Sequence, residues 1–409
     1  MELGIDRFAL PVALVGGLLI LDLLLQAVLH RTAIPSVVVH LALGVLLALE
    51  EARWGWLEAR GREVIHFLGS VGVVFLLFRV GLESNLRALL ENLRGASFVW
   101  LSSVSVAGCA GFLAGRYGIG LDRVPSLFLA VAMTVTSVGV SVAVWREEGA
   151  HASRDGQLLL DVAELDDLSG IVGMTVLFSI APLLHEGRTE QLVGSVGWTV
   201  LQVLARLMVF ALGVALFAGF LEAPLTRLLS RIEPVPDRMI TVVSVGLLVA
   251  AGAGVLGFSF AIGAFFAGLA FSRDAEAVRL DASFDPLFDF FTPFFFIAVG
   301  LQIEPGAIGA AIPLGAGLFL VLVAAKLLGA GGGSLLLVEP RSAVLLGLSM
   351  IPCAEISMVV LEQGRQLGAW ALPEEVFAAM VLVSLLTCLT APLAIRSRLR
   401  RLHPGPEGE

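Results

Sequence analysis

The sequence predicts an all-α polytopic membrane protein of about thirteen transmembrane helices, arranged as two inverted six-helix repeats with crossing discontinuous helices. Three observations carry that expectation. Apolar residues make up 57% of the 409 residues and charged residues 15%, against about 25% charged in an ordinary soluble domain, and mean hydropathy is +0.93. Apolar runs near the length of a span, about 20 residues, recur from end to end. Two of these runs, at matching places in the two halves, contain residues that interrupt a helix.

Taken in order, the spans fall at 8–29, 34–49, 64–82, 95–117, 125–145, 157–184, 192–221, 240–256, 257–272, 286–303, 307–337, 342–362 and 376–395. The first is too long for the apolar region of a cleavable signal peptide and carries Asp22, so it reads as a span. Placing the C-terminus, with Arg396, Arg398, Arg400 and Arg401, in the cytoplasm collects fifteen arginines inside and eight outside. That asymmetry agrees with the positive-inside rule for thirteen spans with the N-terminus outside. Three longer connections, 83–94, 221–238 and 273–285, have the length of amphipathic helices lying on the inner surface. The odd seventh span joins two six-helix halves, which therefore have opposite orientation, the inverted-repeat arrangement of many secondary transporters.

Several function classes drop out on composition. Cys109, Cys353 and Cys388 sit in apolar runs without a CxxC partner, which suggests neither a disulfide framework nor a zinc site. The net charge of −9 is spread over loops and termini, so no nucleic-acid partner is expected. Gly331 to Gly333 has no GxxxxGK[ST] continuation, so no nucleotide is expected either, and no cofactor.

The chain is organised around Ala163 to Ile171, AELDDLSGI. If its helix begins near Gln157, Asp166 and Asp167 lie about 15 Å deep, at mid-membrane. A carboxylate there costs roughly 2.5 to 3.5 kcal/mol on insertion scales and is retained where it meets water, a cation or a partner charge. The fifth span contains Thr134 to Ser141, TVTSVGVS, whose hydroxyls, β-branched residues and glycine make a weak helix open to local unwinding. The twelfth contains Ile351 to Glu355, IPCAE, where proline removes a helical hydrogen bond. Interrupted helices at matching positions point to a transport site, because freed carbonyls bind cations and half-helix ends carry partial charge.

Lys326 is the one lysine among twenty-six basic residues and lies deep in the eleventh span. A buried ammonium needs a carboxylate to hold its charge, and one member of the aspartate pair is the obvious partner. Successive helical residues point about 100° apart, so the two aspartates cannot easily face one group. One takes Lys326 while the other faces the ion path.

These residues resemble a known family. Phe75 to Glu83, FLLFRVGLE, looks like the LLFxxGLE signature of the monovalent cation:proton antiporter-2 family, which includes NapA-like sodium/proton antiporters and Kef-type potassium efflux proteins. Ile34-Pro35-Ser36 is similar to the start of its second helix. Ile262 to Leu269, IGAFFAGL, and Pro293 to Leu301, PFFFIAVGL, look like its GAFxAG and FFxxxG segments. The resemblance runs from about residue 34 to about 395.

What it implies is specific. Asp167 matches the cation and proton carboxylate, Asp166 the aspartate that pairs with the core lysine, and Lys326 that lysine. Residues 136–140, with Thr136 and Ser137, match the unwound crossing segment, and 352–355 its inverted counterpart. The tandem aspartates resemble the electrogenic NapA-like branch. The family architecture implies a homodimer in a bacterial inner membrane, with scaffold and dimerisation helices in 1–83 and 240–303, core transport helices in 95–184 and 307–396, and a linker helix at 192–221. Two departures stand out. The family's Arg-Gly-Glu in the twelfth span reads Cys353-Ala354-Glu355, so Glu355 has lost its arginine neighbour, and Arg79 or Arg206 becomes its candidate partner. Glu164 lies one turn before Asp167 and so on a similar face. With Asp161 it is placed to line an inner cation funnel.

The expected function is secondary active exchange of a monovalent cation, Na+ and also Li+, for protons, with K+/H+ exchange of Kef-like type or a gated channel as alternatives. In the exchange reading Asp167 binds a dehydrated monovalent cation with oxygen ligands near Thr136 and Ser137. Protonation of the same carboxylate excludes the cation. An intramembrane aspartyl protease needs two aspartates sharing a proton about 3 Å apart, whereas adjacent residues on one helix diverge, so no enzyme activity is expected. A sodium-coupled symporter would need a roomy substrate cavity.

Overall fold

The computed structural model describes residues 9–29, 34–83, 86–186, 192–221, 224, 239–255, 258, 260–272 and 284–402. Its regular elements are helical: α1 Ala9–Leu29, α2 Ser36–Trp54, α3 Ala59–Glu83, α4 Leu86–Leu113, α5 Arg123–Thr134, α6 Val138–Glu147, α7 Arg154–His185, α8 Leu192–Leu216, α9 Met239–Val255, α10 Phe260–Phe271, α11 Phe284–Leu301, α12 Pro305–Lys326, α13 Pro340–Ser349, α14 Glu355–Leu367 and α15 Glu374–Leu402. Three of them run on into π-helical turns, α4 into Ala114–Ile119, α8 into Phe217–Leu221 and α12 into Leu327–Gly331.

The chain is a multi-pass integral membrane protein. Among the described residues nine helical stretches are long and apolar enough to cross a bilayer, with α5 and α6 together making one of them. The other four expected passes miss that length or composition for visible reasons. The last turns of α2 carry Glu50, Glu51 and Arg53, α9 and α10 are short, with 17 and 12 residues, and the twelfth pass is divided into α13 and α14.

The sequence sets the helix ends. Pro35 caps α2 in an extended conformation, and Gly55 closes it at φ 58° with its N–H donating to the Glu51 carbonyl, as left-handed C-caps do. Ser153 accepts from the Gly156 N–H and opens α7. Pro305 and Pro340 occupy the first turns of α12 and α13, where a missing N–H costs nothing.

One expectation fails here. The connection 83–94 is not a surface helix, because α4 starts at Leu86 and runs unbroken into the fourth span. The other two connections expected as surface helices, 221–238 and 273–285, fall largely on residues outside those described.

The helices pack in two groups. In one, α3 lies between α10 and α11, α2 lies on α11, and α1 rests on α2 and α3. Close approach requires glycine at Gly81 and Gly268: a Cβ at Gly268 would lie 1.9 Å from the Phe78 carbonyl oxygen, and one at Gly81 would lie 2.0 Å from that of Phe265. Both glycines belong to the motifs quoted above. A buried polar link ties α1 to α2, with His40 Nε2 2.8 Å from Asp22 Oδ1 and the Gln26 amide donating to Asp22 Oδ2 at 2.8 Å. In the other group α4 packs on α5, α7 and α12, while α12 and α13 pack on α15. α8 touches α7 in this group and α10 in the first. Beyond the thirteenth span α15 continues by two turns, where Arg396 pairs with Glu147 and Arg400 Nη2 lies 3.0 Å from Glu148 at the end of α6.

Candidate functional site: the crossing of two broken helices

The fifth and twelfth passes break where they cross. Val135 to Ser137 leaves the helix between α5 and α6, with Val135 at φ −78°, ψ 142°, and residues 350–354 separate α13 from α14. Each break satisfies backbone groups of the other, as backbone at membrane depth must be satisfied within the protein. The Ser137 N–H donates to the Pro352 carbonyl at 2.7 Å. The Ser141 hydroxyl donates to the Ser349 carbonyl at 2.6 Å, and the Ser357 hydroxyl to that of Ala132 at 2.7 Å. Trp145 Nε1–H donates to Ser349 Oγ at 2.9 Å. The hydroxyl-rich stretches seen in the sequence thus replace helical bonds lost in the partner strand.

Lys326, at the last residue of α12, is fully buried and reaches this crossing. Its Nζ lies 3.2 Å from Asp166 Oδ2, and both side chains are at 0% exposure. It also donates to Thr136 Oγ1 at 2.9 Å and to the Thr134 carbonyl. All three ammonium donors therefore have acceptors. The Thr136 hydroxyl lies 2.8 Å from Asp166 Oδ2 and 3.2 Å from the Met350 carbonyl. Having one proton, it serves one of them at a time. A buried ion pair offsets its desolvation only when such extra hydrogen bonds complete it.

Asp167, the next residue on α7, is half-buried, and among the described residues its carboxylate accepts no hydrogen bond. It sits in the field of three other carboxylates, Glu355, Asp166 and Glu164, and of one cation, Lys326. Glu355 is the first residue of α14 and accepts the Ser137 hydroxyl, so its charge lies at a half-helix N-terminus, where anions are favoured. Glu164 lies a turn before Asp167 and is half-buried. Asp167 therefore faces three like charges and one cation, and a carboxylate left unneutralised in a membrane interior is costly. That setting favours the uptake of a proton or a cation at Asp167.

Among the described residues neither arginine expected beside Glu355 is hydrogen-bonded to it, although Arg79 lies within its electrostatic reach. Arg79 pairs through Nε with Glu83 at 2.8 Å and stacks its guanidinium over Phe288, 4.2 Å from the ring centre. It is therefore not the hydrogen-bonded partner of Glu355, because the i, i+4 carboxylate on its own helix is nearer. Arg206 is exposed on α8, away from the crossing. Nothing in the sequence marks the carbonyls of Thr134 and Met350, which any residue could supply, or Trp145, whose buried ring carries a donor. Among the described residues no group of three or more His, Cys, Asp and Glu side chains could hold a metal ion.

Comparison with known proteins bears on the family and the fold. The profile of the transmembrane sodium/hydrogen exchanger family matches residues 17–400. The high-affinity Na+/H+ antiporter NhaS3 of Synechocystis is 28% identical over 395 residues, covering 94% of this chain and 83% of that protein. The Na+/H+–K+ antiporter GerN of Bacillus cereus is 26% identical, covering 88% of this chain and 89% of the relative. Among solved structures, the sodium proton antiporter MjNhaP1 from Methanocaldococcus jannaschii has the same fold, with a TM-score of 0.76, 14% identity, and coverage of 96% of this chain and 98% of the other.

Proposed function

Because the chain belongs to the sodium/hydrogen exchanger family, we propose that it is an electrogenic antiporter exchanging Na+, and also Li+, for protons at Asp167. It is a secondary transporter of monovalent cations and protons. The observation that carries the assignment of the site is the unequal treatment of adjacent aspartates: Asp166 is fully buried with its Oδ2 held by Lys326 and Thr136, while among the described residues the half-buried Asp167 accepts no protein hydrogen bond.

A cation reaching Asp167 would gain that carboxylate and the oxygens around Thr136 and Ser137, the ligand type hard cations take. A proton on Asp167 removes the charge that holds the cation. Crossing with the site empty would bury a bare carboxylate, and that penalty couples the two ions. Lys326 neutralises Asp166 in the proton-loaded state and loses its own proton when the cation binds, which makes the cycle electrogenic. Glu355 and Glu164 hold negative potential around the site, and Arg79 supports it from α3.

The packing supports a division of labour. The group containing α1–α3 and α9–α11 acts as a scaffold and forms a homodimer, α4–α7 and α12–α15 move as the transport core, and α8 links them. Apolar residues exposed on α1, including Val12 at 68% and Leu23 at 68%, suit a surface that meets lipid or a second copy. The arginine asymmetry supports an N-terminus outside and a C-terminus in the cytoplasm, and a bacterial inner membrane is the proposed location.

The test is proton flux in liposomes with an internal pH dye. Acceleration by sodium and lithium gradients, sensitive to membrane potential and lost in Asp167→Asn, is the expected result; full exchange in that variant would remove the site assignment. A potassium response insensitive to potential would favour K+/H+ exchange, a reading encouraged by the name of the GerN relative.

A further inference from the structure

We infer that α4 is the positioning frame of the transport site: through Trp100 and Ser102 it holds the two helices that carry Asp166 and Lys326. On one side, Trp100 Nε1–H donates to Ser169 Oγ at 3.0 Å, and the Ser169 hydroxyl donates to the carbonyl of Asp166 itself at 3.0 Å. On the other, the Ser102 hydroxyl donates to the Gly329 carbonyl at 2.8 Å. Residues two apart on a helix point about 200° apart, so these side chains leave α4 on opposite flanks, one toward α7 and one toward the extension of α12.

The second contact falls on an unusual piece of backbone. Immediately after Lys326 the helix slips into the π turn Leu327–Gly331, a form seen mostly as short bulges and often at functional sites. A π turn widens the spacing of the hydrogen-bond ladder and re-aims the residues at its edge, so whatever fixes that turn fixes the direction of the lysine. Gly329 lets α4 come close enough to do this: a Cβ there would lie 3.0 Å from Ser103 Cα, and one at Gly333 would lie 2.8 Å from Ser102 Cβ. The Ser102 hydroxyl then adds a donor from α4 to the Gly329 carbonyl, which also accepts from the Gly332 N–H at the end of the bulged turn. Neither Trp100 nor Ser102 touches the ion path; both act through the backbone of residues that do. The effect on transport rests on the antiport reading above, whereas the effect on the backbone does not.

Two measurements on Trp100→Phe and Ser102→Ala separate these levels. In lipid nanodiscs, amide hydrogen exchange is expected to rise about three- to tenfold, the equivalent of one neutral hydrogen bond, over 163–172 in Trp100→Phe and over 324–332 in Ser102→Ala. The remaining helices should stay as in wild type. In liposomes the sodium KM should rise by a similar factor with the maximal rate changed less than about twofold, and Ser169→Thr, which keeps a hydroxyl, should stay near wild type. Ser169→Ala, which removes both bonds of the link, should match or exceed Trp100→Phe, and adding Trp100→Phe to it should add nothing further. Unchanged exchange in both segments, or equal acceleration in every helix of the core, would overturn the inference. So would raised local exchange with an unaltered KM. Wild-type protein without cation-driven proton flux would refute the antiport reading alone, and the amide-exchange comparison would still decide the frame.

Discussion

A lysine with no exposure on a membrane helix commits its neighbours to neutralising it. Lys326 is held by Asp166, Thr136 and the Thr134 carbonyl, so removing one partner leaves a buried charge alone, at a cost of about 3–5 kcal/mol. Lys326→Gln should therefore unfold at markedly lower temperature in detergent, and adding Asp166→Asn should restore much of that loss because both charges are then gone. Among the described residues Asp167→Asn breaks no protein hydrogen bond. It should keep or raise the melting temperature while abolishing exchange, and loss of folding together with exchange would contradict the split between the aspartates. Competition of a proton and a cation for one carboxylate also fixes the pH dependence. As pH falls, a growing share of Asp167 is protonated and unavailable, so the apparent sodium KM should climb, approaching about tenfold per pH unit on the acid limb. A KM flat across that range would rule out a shared site.

At the scale of elements, the two interruptions were legible because they follow from local chemistry. The hydroxyl-rich stretch at 134–141 and Pro352 both weaken an α-helix wherever they sit. Nothing local shows that they meet, since Ser137 and Pro352 are joined only by crossing. The π turns and the inward start of α4 were not legible either, because they answer to packing rather than to composition. Gly81 and Gly268 are a similar case: each was visible in a motif, but their mutual approach is a property of the α3–α10 pair. Gly268→Ala places a methyl 1.9 Å from the Phe78 carbonyl oxygen, so the helices must part. A stability loss of about 1–3 kcal/mol is expected, read from thermal unfolding in detergent. Unchanged stability would mean that this contact does not hold the two helices together.

For the whole molecule the question is whether the two helix groups move relative to each other. They share the main buried core, and one small cluster between them contains Val38 of α2, Val140 of α6, and Ala354 and Cys388 of the twelfth and thirteenth passes. In a background lacking Cys109, Cys353 and Cys388, a Val38→Cys and Val140→Cys pair joined by a short bifunctional thiol reagent should arrest exchange, while each single cysteine under the same treatment should not. Undiminished exchange in the cross-linked protein would argue against relative movement of the groups. Near the end of α15, the links of Arg396 and Arg400 to Glu147 and Glu148 tie α15 to α6 within one group. Being exposed, they are worth little each and are screened by salt.

By itself the sequence determined the membrane class, the two weak points, and the placing of Asp166, Asp167 and Lys326 within apolar helices. Each of these depends on hydropathy, backbone propensity or the cost of a buried charge, quantities that a short window of residues already contains. Tertiary structure decided the pairings. That Asp166 rather than Asp167 meets Lys326 depends on helix rotation and a separation of 160 residues along the chain, which the residues alone left open and only family resemblance suggested. Arg79 went to Glu83 instead of Glu355 because a neighbour one helical turn away costs less order to reach than one on another helix. The carbonyl ligands of the lysine and the hydroxyls of α4 were hidden for the same physical reason: every residue has a backbone and many have a hydroxyl, and only proximity in the folded chain selects the ones that act.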